Sequence, residues 1–174
     1  MEIFSKRFKK EENILYNNIL LLSRNKLFYT KFYLNDTFQN RINLIFFHIS
    51  FLFIRINQKK PNNQYKSFSQ NLFDLTFKKI ELNMREIGYG DVTVNKKMKL
   101  LVKNFYNILF ECEQYSNKSN ILKNTFFSKY FNQLNNKKDS NNDGLIDYFN
   151  KYEAFCLDLS IDIVLKGALN FNFK

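Results

Sequence analysis

The residues best equipped for chemistry lie between Met84 and Lys99, in the stretch MREIGYGDVTVNKKMK. It gathers Arg85, Glu86 and Asp91 with Lys96, Lys97 and Lys99, and it holds Gly88 and Gly90, two of the four glycines in the chain. Charges of both signs at a glycine-marked corner can pair with charges on a partner. They do not make a catalytic set. The single histidine, His48, sits in an apolar segment, with no second histidine to build a metal cluster and no convincing triad around it. GYG lacks the phosphate-loop frames and follows a helical pattern where those frames follow a strand. The expectation is a partner-binding corner formed by Arg85, Glu86, Gly88, Gly90, Asp91, Lys96, Lys97, Met98 and Lys99, with no catalytic residue and no cofactor.

A second stretch, DSNNDGLIDYFN, imitates a calcium loop. Asp139, Asn141, Asp143 and Asp147 fall at alternate ligand positions, with Gly144 at the turn. The closing position, where a bidentate Glu belongs, is Asn150, and no second loop pairs with it. Calcium binding is therefore not expected. Cys112 and Cys156 lie in apolar helical contexts without metal-ligand spacing, which fits a reducing compartment.

The charge is formally +11, from 27 Lys+Arg against 16 Asp+Glu. Such a surplus suits an acidic partner: ribosomal RNA, an anionic membrane surface or another nucleic acid. A coding bias toward Lys, Asn, Ile, Phe and Tyr would produce the same charge without selection. The lysines are scattered along the chain instead of gathered on one arm, and DNA is not an expected partner.

At 174 residues with 45% apolar content, the chain is long enough for one compact domain, 1–174. One proline, four glycines and long uninterrupted stretches point to an all-α fold of about six helices. The periodicity predicts a first helix over Glu11–Arg24 with Leu15, Ile19 and Leu22 on one stripe, then an aromatic connector. A second helix, capped by Asp36 with Gln39 in a capping box, runs to about Asn57. Its apolar run Ile42–Ile54 is too short for the ~20 residues of a membrane span and reads as a buried core helix. The third helix, about Ser67–Ile87, places Phe73, Phe77, Ile80, Met84 and Ile87 on one face.

Gly88 is expected to end this helix in the left-handed conformation, and Asn95 to cap the fourth. The fourth helix carries Met98, Leu101, Val102, Phe105 and Leu109. In that register Lys96, Lys97 and Lys99 occupy the first turn, where cations are disfavoured. A fifth helix is expected over Asn120–Leu134 and a sixth over Leu145–Gly167. The amino terminus, MEIFSKRFKKEEN, has no signal-peptide apolar core, and no export signal is expected.

The stretch from Leu72 to Tyr115 resembles the signature region of the ubiquinol–cytochrome c chaperone family. It keeps Leu72, Phe73, Asp74, Arg85, Glu86, Gly88, Gly90, Asp91, Val94, Lys96, Lys97, Met98, Phe105 and Tyr106. Upstream, LYNNILLLSR, Phe28–Tyr29, DTFQNRINL and HISFLFIRI are similar to further family segments, so the resemblance spans about residues 14–115. Asn95 and Asn107 stand where the family has proline and glycine. The resemblance implies a non-enzymatic, all-helical assembly factor for the cytochrome bc complex (complex III) that handles newly made cytochrome b. It also implies a small helical partner protein and a position at the ribosomal exit tunnel. The setting would be the bacterial cytoplasm or the mitochondrial matrix, peripheral to the inner membrane. The residues alone leave two other readings open: a basic ribosome- or RNA-binding module, and a peripheral membrane protein.

Overall fold

The computed structural model describes residues 10–58, 62–131 and 142–173, and every structural statement below refers to these. The amino-terminal residues 1–9, Asp139, Asn141 and residues 132–134 of the expected fifth helix lie outside them. The element order is α1 (Lys10–Ser23), α2 (Leu27–Thr30), α3 (Phe38–Asn57), α4 (Asn63–Glu86), α5 (Asp91–Glu113), a 3₁₀ turn (Tyr115–Asn117), α6 (Asn120–Tyr130), α7 (Asp143–Asp158) and α8 (Ile161–Leu165). The all-α expectation holds. Six of these helices have at least 11 residues.

The apolar run expected to be a core helix is one. Every residue from Ile42 to Phe53 of α3 is buried. A helix apolar all round can only be stable if neighbours cover it on every side. Here α1, α4, α5, α7 and α8 do so, with α5 making the broadest contact. No described helix is long and apolar enough to cross a membrane.

Two polar residues inside α3, Asn43 and His48, are hydrogen-bonded to neighbouring elements. Asn43 donates from Nδ2 to the Tyr130 carbonyl at 2.6 Å, closing the C-terminal end of α6, and its Oδ1 accepts from Asn104 and Gln39. His48 is fully buried. Its Nδ1 lies 2.6 Å from the Leu44 carbonyl, which can only accept, so Nδ1 carries the proton. Nε2 is then the acceptor for the Tyr148 hydroxyl at 2.8 Å. Burial pushes its pKa down from 6.5 to about 4, and the ring is neutral. It is the hydrogen-bonded core histidine that an apolar setting predicts.

Several boundaries move. The cap of α3 is Thr37, whose side chain accepts from the Asn40 N–H, and not Asp36. Asp36 instead pairs with Arg41 at 2.6 Å. The aromatic connector contains α2, and Phe28 there is fully buried against Tyr148. α6 ends at Tyr130 because Phe131 turns extended and packs on Phe47, ring centroids 5.2 Å apart. The expected sixth helix is two: the chain turns extended at Leu159 and Ser160, where Arg55 Nε of α3 captures the Leu159 carbonyl at 2.9 Å. Ile87, expected on the buried face, is 62% exposed.

The calcium lookalike is put to another use. Asp143 opens α7, so residues 143–150 are helical instead of looping around an ion. A Cβ at Gly144 would overlap the Phe32 ring, so the glycine admits an aromatic side chain to the helix surface. Asp147 pairs with Lys151 at 2.9 Å, and Asn150 accepts from Lys123 at 2.8 Å.

Candidate functional site at the α4–α5 corner

The corner begins with a helix stop. Gly88 has φ +98°, the left-handed region that glycine enters without a Cβ penalty. Its N–H bonds the Arg85 carbonyl at 2.9 Å, and the Tyr89 N–H bonds the Met84 carbonyl at 3.1 Å. These two bonds are the Schellman motif, which satisfies the last carbonyls of α4. The expectation for Gly88 is met.

The expectation for Asn95 is not. α5 starts at Asp91, with Gly90 as an extended N-cap whose carbonyl accepts from Val94 N–H at 3.0 Å. Two forces draw DVTV into the helix. Val94 is fully buried, extending the core stripe of Leu101, Phe105, Ile108 and Cys112 one turn toward the corner. Asp91 places a carboxylate in the first turn, where the helix dipole favours it. Both signals are in the sequence: Val94 lies four residues before Met98, and the acid precedes it. The lysines consequently lie beyond the first turn, where the dipole penalty has faded, so their placement carries no local cost.

Arg85 is the centre of the corner. Its Nη1 pairs with Asp91 across the turn, while Nη2 and Nε reach Glu81 Oε1 one turn back at 2.9 and 3.1 Å. These carboxylates, Asp91 first, hold the guanidinium pKa above its ordinary value. The pairings tie the last turn of α4 to the first of α5 and fix the angle between them. Glu81 is the member the sequence reading missed, although its i,i+4 spacing to Arg85 signals the pair.

The other expected site residues separate into two groups. Lys96, Lys97 and Lys99 are exposed, and Met98 is half-buried against the core. Lys97 folds back so that Nζ lies 5.1 Å from the Tyr89 ring centroid, a cation–π distance. Glu86 belongs elsewhere. It lines a cavity of about 260 Å³ on the side facing α1 and α3, together with Arg24, Arg41 and Asn83. Around the lysines the surface is partly apolar: Ile87 and Val92 are 62% and 70% exposed. A Cβ at Gly88 or Gly90 would meet no atom within 4 Å, so the corner stands open to solvent. Basic and apolar groups on a braced turn can grip an acidic, partly apolar segment of another protein. The corner itself brings no nucleophile, base or metal-ligand cluster together.

The two cysteines are buried and unpaired, and burial pushes both thiols up, away from reactive thiolate.

Comparison with known proteins agrees with the fold and with the motif. No curated protein matches the sequence. A solved structure, the Cbp3 homolog from Brucella abortus, is similar with a TM-score of 0.76 at 23% identity, over 94% of this chain and 91% of that one. At that identity the likeness speaks for the fold. The family model described as Ubiquinol-cytochrome C chaperone matches residues 30–171. The match runs through α6, α7 and α8, beyond the segment where the sequence resemblance is readable by eye. The chain belongs to the ubiquinol–cytochrome c chaperone family.

Proposed function

We propose that this protein is a non-enzymatic assembly chaperone for the cytochrome bc complex, that its client is newly made cytochrome b, and that the α4–α5 corner is its partner-binding site. The observation that carries the reading is an exposed basic and apolar surface, Lys96, Lys97, Lys99, Ile87 and Val92, on the motif that places the chain in its family. Arg85 and Asp91 shape the corner, and the lysines make the charged contacts. A small helical partner and the ribosomal exit tunnel are the further partners of this reading, in the bacterial cytoplasm or mitochondrial matrix beside the inner membrane.

The test is charge reversal in the native cell. The Lys96→Glu, Lys97→Glu double variant should keep its far-UV circular dichroism, because both side chains are exposed, yet lower the amount of assembled cytochrome bc complex. Normal cytochrome b content in that strain would remove the corner from the mechanism.

A further inference from the structure

A cleft of about 680 Å³ lies between the first turn of α1, the first half of α4 and α8, remote in sequence from the corner. Its charge is opposite to that of the molecule. Glu11, Glu12 and Asp162 line it against one cation, Lys166, in a chain whose formal charge is +11. Phe68 and Leu165 supply apolar wall.

Glu12 is the informative residue. It is 1% exposed. Its Oε1 accepts from Asn71 Nδ2 at 3.1 Å, while Oε2 is buried with no hydrogen-bond partner. A buried carboxylate oxygen without a donor is disfavoured relative to a satisfied one. Among the described residues no ion pair joins Lys166 to it. Glu12 is among the residues that line the cleft, which is large enough for a side chain, within the ~300–1,000 Å³ of ordinary ligand sites.

We infer that this cleft binds an alkyl cation, a guanidinium or ammonium head on a short aliphatic stem. The head supplies the N–H donors that Glu12 Oε2 lacks, and the stem lies along Phe68 and Leu165. Glu11 and Asp162 draw the charge in at the rim. An inorganic ion fits poorly. No described cluster of three His, Cys, Asp or Glu side chains converges closely enough to hold one, and the cleft exceeds a single ion many times over. The chemistry has two sources, an arginine or lysine side chain of a protein partner and a free polyamine.

The test is an NMR titration of the full-length ¹⁵N-labelled protein with three probes: N-acetyl-arginine amide, its neutral citrulline isostere, and spermidine. Saturable shifts of the Asn71 side-chain amide and of residues 162–166 are expected with the two cations and not with citrulline. The tighter of the two cations identifies the source. Glu12→Gln should weaken binding roughly tenfold or more, as expected for loss of a buried charge pair. Asp162→Asn, at an exposed rim position, should weaken it about two- to fourfold. Equal shifts with arginine and citrulline would overturn the inference, as would undiminished binding in folded Glu12→Gln. Binding seen only after deletion of residues 2–9 would also overturn it, assigning the cleft to the chain's own amino terminus.

Discussion

The aromatic seam around His48 and the corner around Gly88 solve opposite problems with the same helices. In the seam, α3 and α7 face each other through rings. Phe149, fully buried, has centroids within 5.0–5.4 Å of Tyr148, Phe47, Phe127 and His48. At the corner the charged clamp is solvent-exposed, and Ile87 and Val92 project into water. The seam draws its stability from burial and from satisfying the few polar atoms it encloses. The corner gets its shape from one positive-φ glycine and one braced arginine, and contributes little to stability. The difference leaves basic and apolar groups exposed at the corner without cost to the fold, which is held elsewhere.

That contrast can be broken by substitution. Phe149→Ala should have the largest effect, a loss of about 3–5 kcal/mol in urea unfolding, because it opens a cavity where several rings meet. A loss below ~1 kcal/mol would mean that the seam is not the centre of stability.

The pH dependence comes next. His48 has a native pKa of about 4 against 6.5 for the unfolded chain. As pH falls below 6.5 the unfolded chain takes up a proton that the native ring refuses. Stability is therefore fully present above pH 6.5 and declines down to about pH 4, by about 3 kcal/mol in total. His48→Gln should flatten that part of the profile, and an unchanged slope between pH 6 and 4 would refute the assignment.

At the corner the effects should be smaller. Gly88→Ala forces a Cβ into the left-handed region, at a cost of about 1–2 kcal/mol. Gly90→Ala has no such conflict, since Gly90 has φ −70°, and should change the unfolding midpoint by less than half as much. Equal effects of the two would contradict the helix-stop geometry. The Lys96→Glu, Lys97→Glu pair should scarcely move the midpoint while lowering the amount of assembled cytochrome bc complex, which would separate the region that holds the fold from the region proposed to bind.

Much of this was legible in the residues. The 3.6-residue rhythm located six helices, and the apolar run Ile42–Ile54 identified the one at the centre. Gly88 marked its turn because few other residues accept that backbone. Where the reading slipped, a longer-range contact had decided the outcome. Asn95 is a good cap by residue type, but burial of Val94 against the core makes DVTV the first turn of α5. Ser160 breaks the last helix at a point where Arg55, more than a hundred positions earlier, captures a carbonyl. Ile87 continued the apolar spacing of α4, yet the helix ends beneath it and leaves it in solvent.

The sequence by itself determined that the chain is all-α, which helix lies in the middle, where the glycine corner falls and which family it resembles. Those properties depend on local conformational preference and on the periodic placement of apolar groups, both of which are written along the chain. Only the tertiary structure decided the use of each charge. Arg85 turns to Asp91 and Glu81, Glu86 faces α1 and α3, the lysines stay in solvent, and Glu12 is buried with one oxygen unmet. Whether a charge is paired, exposed or enclosed is set by side chains far away in sequence, because electrostatic and hydrogen-bond partners are chosen by distance in space.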